Sequence, residues 1–462
     1  MIFERNLQIH FVGVGGAGMS GIAEVLANLG YRVTGSDLRE SEATRRLRSL
    51  GATIFTGDHD PAHVGAADVV VVSSAVAADN PEVADARARR IPVIPRAEML
   101  AELMRLRRGI AVAGSHGKTT TTSLVASLLH EAGSDPTVVI GGKVNAFDSN
   151  ARVGESDLIV AEADESDGSF LVLSPTYAVI TNIDREHLDH YGGFDALREA
   201  FCGFANRVPF YGAAYLCIDD PGVRAILPAV GKRTVTYGCG ADAEVRAVDE
   251  QVSGARTRFR LVARGIDYGP FVLHMPGRHN VRNAVGALAV ALDLGADPEA
   301  LRRGLAGFSG VQRRFSVRGE VGGVLVVDDY GHHPTEIAAT LDGARASHPD
   351  RRLVAVVQPH RYTRLRDHFD GFVAALAGCD ALFLTEVYPA GEAPIEGFDG
   401  RALAAALREA APDRPVHFVP NVADLAGAVA GEARPGDLVL TLGAGNVTQV
   451  SVELVERIAG AA

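Results

Sequence analysis

Lys118 is one of only three lysines in the chain, with Lys143 and Lys232, and it lies in the run Gly114-Ser115-His116-Gly117-Lys118-Thr119. A chain that otherwise uses Arg keeps Lys where a compact ammonium on a flexible stem matters. Glycines in such a run let backbone N–H groups turn inward around phosphate oxygens, and a following helix adds its partial positive charge. Lys118 can then reach the β- and γ-phosphates of a nucleotide, and the Thr119 hydroxyl can bind Mg²⁺. Position 112 is Val where the fuller phosphate-loop pattern has Gly, so a plain Gly-rich turn before a Thr-rich helix is the competing reading.

Five other clusters carry chemistry. Ala161-Glu162-Ala163-Asp164-Glu165-Ser166-Asp167 follows an apolar run, and one of its carboxylates could hold Mg²⁺ through oxygen. Thr181-Asn182-Ile183-Asp184-Arg185-Glu186-His187 repeats that arrangement, its His being a ligand, a base or a surface group. Asp328 to Glu336 and Gln358 to Arg364 set dense polar groups after further apolar runs. Arg361 and Arg364 are spaced to share a carboxylate. Finally, Gly13-Val14-Gly15-Gly16-Ala17-Gly18, with Asp37 19 residues beyond Gly18, matches a dinucleotide fingerprint. That fingerprint points to a docked nucleotide diphosphate, and it keeps a nicotinamide-dependent oxidoreductase in play.

Each cluster needs a strand before it. The first ~108 residues alternate short apolar runs with helical stretches: strands at 8–13, 32–35 and 69–73, helices at 18–29 and 96–106. The continuous valines at 69–72 suit a strand buried on both faces. A second unit starts with a strand at 109–113 and a helix at 119–133, then strands at 158–161 and 178–181. Residues 232–275 read as a β-rich annex, and a helix at 280–294 follows. A third unit places strands at 324–327, 353–357, 381–384, 416–419 and 438–441 between Ala-rich helices. The expected fold is α/β in three domains. These are a Rossmann-like domain over 1–108, a central P-loop-type ATPase with a parallel sheet and the annex over 109–310, and a second Rossmann-like domain over 311–462.

Length and charge agree with this. A chain of 462 residues suits about three domains at ~150 residues each. A formal net charge of −12 argues against coating nucleic acid. No apolar run approaches the ~20 residues of a membrane span, and the N-terminus lacks a signal-peptide pattern. Cys202, Cys217, Cys239 and Cys379 lie far apart and read as buried thiols of a reducing, cytoplasmic compartment. A monomer and a homodimer are not distinguished.

Together the motifs resemble the Mur ligases of bacterial cell-wall synthesis. The likeness runs in order along essentially the whole chain: GVGGAGMSGIAEVL, AGSHGKTTTT, AEADESD, TNIDREHLD, MPGRHNVRNA, RRF, DDYGHHPTE and QPHRYTR. It implies an ATP-dependent ligase of peptidoglycan biosynthesis that joins L-alanine to the lactyl carboxylate of UDP-N-acetylmuramate through an acyl phosphate. A ligase adding a preformed peptide to the same sugar nucleotide is the nearest alternative. By resemblance, Lys118, Glu162 and His187 are catalytic. Thr119, Glu162 and His187 resemble the Mg²⁺ set. Gly114 to Thr120, Asn280, Asn283, Arg314 and Asp329 resemble the ATP set. Gly15, Ala17, Gly18, Asp37 and Ser73 look like the UDP-sugar end, and Tyr330, His360, Arg361 and Arg364 like the amino-acid end. One departure stands out: several related ligases carry a carbamylated Lys on the helix after the His motif. That region here reads Phe194-Asp195-Ala196-Leu197-Arg198-Glu199, and Arg198 stays protonated and cannot form the carbamate.

Overall fold

A computed structural model describes residues 7–73, 75–144 and 149–461. Among the described residues the strands form three sheets. By packing, the chain divides into one compact unit of residues 1–249, 259–272 and 282–309 and another of 250–258, 273–281 and 310–462.

The first sheet is parallel, in the order Thr53–Thr56, Arg32–Asp37, Gln8–Val12, Val69–Val72, Val93–Pro95. Gln8–Val12 is buried throughout, which a strand with neighbours on both sides and helices on both faces requires. Strand order reverses between Gln8–Val12 and Val69–Val72. The crevice at that switch point is where doubly wound sheets hold ligands. Gly13 leaves one of these strands and Ser73 the other. The strand at 53–56 is short and patterned too weakly to be read from sequence, whereas Pro92 and Pro95 mark the extended piece that forms Val93–Pro95.

The central sheet places Arg108–Ala113 between Leu158–Glu162 and Tyr177–Ile180, all parallel. Ala213–Cys217 and Thr234–Gly238 extend it on one side, and Thr137–Val144 with the antiparallel Ser149–Arg152 on the other. The annex strands Val245–Ser253, Arg256–Ala263 and Ile266–Leu273 continue the same sheet beyond Thr234–Gly238. The helix expected at 119–133 runs Lys118–Glu131 and buries most of its length.

The third sheet runs Ser316–Val321, Val324–Asp329, Asp437–Leu442, Arg352–Val357, Ala381–Leu384, Val416–Phe418. It is parallel apart from the edge strand Ser316–Val321. That edge was not read from the sequence, because its alternating polar residues and Gly319 dilute the strand pattern. All four cysteines are free; Cys217 and Cys379 are buried, whereas Cys202 and Cys239 are only partly so.

Candidate active site

Three loops leave neighbouring strand ends of the central sheet, and each supplies part of one polar cluster. Gly114 holds φ 138°, and a Cβ there would run into Thr181 Oγ1. Gly117, at φ 80°, caps the helix Lys118–Glu131, and a Cβ there would lie 2.8 Å from Asn283 Oδ1. Both positions need glycine. The loop between them is splinted by the Thr181-Asn182 pair. The His116 N–H donates to Asn182 Oδ1 at 2.8 Å. The Thr181 hydroxyl and the Asn182 amide donate back to the His116 carbonyl at 2.6 and 2.9 Å. Ser115 Oγ accepts the Asp184 N–H at 2.9 Å, and His116 Nε2 lies 3.0 Å from Asp184 Oδ2.

Lys118 folds back over the loop. Its Nζ donates to the Gly114 carbonyl at 2.7 Å and to both Glu165 oxygens at 2.9 and 2.7 Å. Burial works against the Lys118 charge, but Glu165, Asp164 and Glu162 outweigh it and hold the ammonium above its ordinary pKa. Burial also pushes the Glu165 carboxyl up to about 7; Lys118 pulls it down and Asp164 pushes it up again. One ammonium among three carboxylates therefore stays charged, while the deepest carboxylate holds its charge weakly. Beside this pair, the Thr119 hydroxyl donates to the Glu162 carboxylate at 3.1 and 3.2 Å, and Thr120 is buried.

His187 adopts φ 56°, in the left-handed region that non-glycine residues seldom visit and that His enters more readily than most. Glu165, Glu186 and His187 offer ligand atoms all within 4.8 Å of one another. Reading the sequence singled out Glu162 and His187 but not Glu165, Glu186 or Asn182. The acidic loop was visible; which of its carboxylates turns inward depends on the backbone, where Asp164 Oδ1 is taken by the Ser166 N–H. Arg198 pairs with Asp195 on its own helix Phe194–Ala205 and lies over the Phe194 ring.

The first glycine loop is wired differently. The Ser36 carbonyl accepts the Gly13 and Val14 N–H groups, each at 2.9 Å, and Asp37 Oδ2 accepts the Gly15 N–H at 2.8 Å. Helix Ala17–Asn28 starts directly behind. A Cβ on Gly18 would run into the Arg96 guanidinium. Just after Val69–Val72, the Ser73 carbonyl accepts the Val76 N–H at 3.1 Å in a local turn. Under the loop, Ser36 Oγ donates to buried Glu82 at 2.7 Å, where His10, His59 and His63 also converge at 2.7, 2.9 and 3.1 Å.

In the second unit, Arg313 and Phe315 hold φ 59° and 50°, on either side of Arg314. Strained residues of this kind persist where surroundings over-determine them. Here the Asp329 carboxylate accepts the Phe315 and Gly331 N–H groups, both at 2.7 Å. Burial raises the Asp329 pKa, against Arg314 and those donors. The Arg314 guanidinium lies 5.3 Å from the Tyr330 ring centroid and 3.6 Å from Glu336. His360 stacks on Tyr388 at 5.5 Å, and Arg364 approaches its Nδ1 at 3.3 Å. Burial, then His332, Arg364 and Arg361, push the His360 imidazole down to about 4. Arg361 donates to Glu392 at 2.7 Å, a partner the sequence did not suggest. Asn280 donates to the Pro276 carbonyl at 2.8 Å.

Family models cover most of the chain: "Mur ligase family, catalytic domain" over residues 8–108, "Mur ligase middle domain" over 112–291, and "Mur ligase, glutamate ligase domain" over 313–445. A UDP-N-acetylmuramate–L-alanine ligase of Geobacter sp. (strain M21) is 55% identical over 460 residues, covering 100% of this chain and 99% of its own. The protein of that name in Anaeromyxobacter dehalogenans (strain 2CP-C) is 59% identical over 98% of both chains. Among solved structures, the UDP-N-acetylmuramate–alanine ligase of Thermotoga maritima superposes with a TM-score of 0.83 at 30% identity, over 99% of this chain and 100% of its own. A murein peptide ligase of Psychrobacter arcticus gives 0.68 at 25% identity, over 98% and 99%.

Proposed function

The chain belongs to the Mur ligase family, and from that premise we infer that it joins L-alanine to the lactyl carboxylate of UDP-N-acetylmuramate with ATP, in peptidoglycan biosynthesis. The observation that carries this reading is full-length identity of 55–59% to ligases of that name. The site supplies matching chemistry.

A carboxylate oxygen attacks the γ-phosphorus, the bond to the β-phosphate oxygen breaks, and ADP leaves. The alanine ammonium, once bound, gives one proton to solvent; its neutral amine attacks the acyl carbon, phosphate leaves, and the nitrogen loses a second proton as the amide forms. The first step brings two anions together, and Lys118 is the charge that offsets their repulsion and steadies the transferred phosphoryl group. To do so it must exchange Glu165 for phosphate oxygens. His360 is uncharged at neutral pH, so it does not repel the alanine ammonium. Arg361 and Arg364 offer guanidinium groups to the alanine carboxylate, Tyr330 belongs to the same polar end, and Arg314, of the ATP set, lies beside its ring.

Hard oxygen donors with one imidazole suit Mg²⁺. Thr119 with Glu162, and Glu165 and Glu186 with His187, would hold it, and bound there it neutralises phosphate charge. Arg198 takes no part in that set. Gly15, Ala17, Gly18, Asp37 and Ser73 form the UDP-sugar end. The domains are assigned as 1–108, 109–310 and 311–462. Among the described residues no helix is long and apolar enough to cross a membrane. We assign the reaction to the cytoplasm, on small-molecule substrates.

The test is phosphate release with Mg·ATP and UDP-N-acetylmuramate, with and without L-alanine. Release that requires all three substrates supports the reading. Release with a murein tripeptide but not with alanine moves the assignment to the peptide-adding alternative. A change in reduced-nicotinamide absorbance without phosphate release would move it to the oxidoreductases.

A further inference from the structure

Arg96 belongs to none of the motifs above, yet it lies between two of them. It is the first residue of helix Arg96–Arg105, directly after strand Val93–Pro95 at the carboxyl edge of the first sheet. Its guanidinium fills the space that the missing side chain of Gly18 leaves. In dinucleotide folds the last glycine of this motif serves close helix–strand packing; here its absent Cβ admits a cation beside the glycine loop. On the other side, Arg96 Nη2 is 3.5 Å from Asp164 Oδ2. Asp164 sits in the acidic loop between Glu162, which holds Thr119, and Glu165, which holds Lys118.

Two further observations decide what this cation is for. The Gly13, Val14 and Gly15 N–H groups are already spent on Ser36 and Asp37, so they are not free to receive a diphosphate. Arg96, by contrast, makes no hydrogen bond among the described residues, and Asp164 is its one ion-pair partner, with 29% of the Arg96 side chain exposed. A guanidinium brings five N–H donors in a fixed fork that matches phosphate oxygens.

We propose that Arg96 is the residue that grips the diphosphate of the UDP-sugar, giving up Asp164 to do so. The proposal rests on the first glycine loop being the sugar-nucleotide site. It gives that loop the positive charge its own residues lack.

Calorimetric titration of the full chain tests it, with UDP-N-acetylmuramate, UDP and a non-hydrolysable ATP analogue against wild type, Arg96→Ala and Arg96→Lys. Losing charge-assisted hydrogen bonds to phosphate should weaken both UDP ligands about 10- to 100-fold in Arg96→Ala. Arg96→Lys should recover part of that loss, because the charge remains. The ATP analogue, titrated in the absence of a UDP ligand, should bind within about twofold of wild type. Unchanged affinity for both UDP ligands would overturn the proposal. So would a loss confined to UDP-N-acetylmuramate, which would put Arg96 on the sugar, or a matching loss for the ATP analogue with a lower melting midpoint, which would make it a structural pin. Wild type that binds neither UDP ligand would instead remove the sugar-site reading beneath it.

Discussion

Two glycine loops, Gly13–Gly18 and Gly114–Thr119, leave the ends of two parallel strands in the same unit, and each is backed by one buried carboxylate. Glu82 lies behind the first and Glu165 behind the second, at 0% and 1% exposure. Their titration goes in opposite directions. Burial would raise Glu82, but His10, Ser36, His59 and His63 together lower it to about 2. Glu165 has Lys118 as its charged partner and Asp164 as a like-charged neighbour, and it rises to about 7. Several donors make a carboxylate a permanent brace; one ammonium shared among three carboxylates makes a contact that can be exchanged. The first loop is thus fixed by its own scaffold, whereas the second holds a cation ready to change partners.

The largest effect that would sharpen this comparison is Lys118→Ala. Loss of the cation proposed to steady the transferred phosphoryl should lower phosphate release by about 10³-fold, read in the three-substrate assay, with UDP affinity unchanged. A fall of less than tenfold would mean the second loop does not depend on its cation, and the contrast would collapse.

Next is the acid stability of the brace. The Glu82 pKa is depressed in the fold, so its contribution is complete above the unfolded value near 4.5 and is lost as pH falls toward 2. That contribution should be about 3 kcal/mol. Urea midpoints between pH 7 and pH 3 should therefore fall further for wild type than for Glu82→Gln; parallel curves would remove the brace.

Smaller again is Asp37→Asn. The Gly15 N–H keeps an acceptor but loses the charge, so KM for the UDP-sugar should rise roughly tenfold while KM for ATP holds. Equal changes in both would mean that the two loops are not independent. The smallest effect belongs to Arg198→Ala. Its pair with Asp195 is a surface i,i+3 contact, and its removal should change stability by less than about 0.5 kcal/mol and leave phosphate release intact. Loss of activity there would return the helix Phe194–Ala205 to the metal site.

Much of the site was legible because its residues lie within a few positions of strand ends, and strands of continuous Val, Ile, Leu and Ala announce themselves. The Gly114–Thr119 loop, the two acidic runs and the Asp328–Glu336 and Gln358–Arg364 clusters are all of this kind. Glu392 and Arg96 were not legible. Each acts through a partner far along the chain, Arg361 for one and Gly18 and Asp164 for the other. No local pattern marks either.

By itself the sequence determined where strands end in glycine or acid, which loops could meet phosphate, and that Arg198 cannot carry a carbamate. Those are local properties of backbone freedom, charge and pKa. Tertiary structure decided which carboxylate faces Lys118, since that depends on a turn closed by the Ser166 N–H. It decided that the Gly13–Gly15 N–H groups are already taken, because Arg32–Asp37 pairs beside Gln8–Val12 and delivers Ser36 and Asp37 to them. And it decided that the last strand, Asp437–Leu442, enters between Val324–Asp329 and Arg352–Val357, a choice made by burial of both its faces, which no stretch of chain can specify alone.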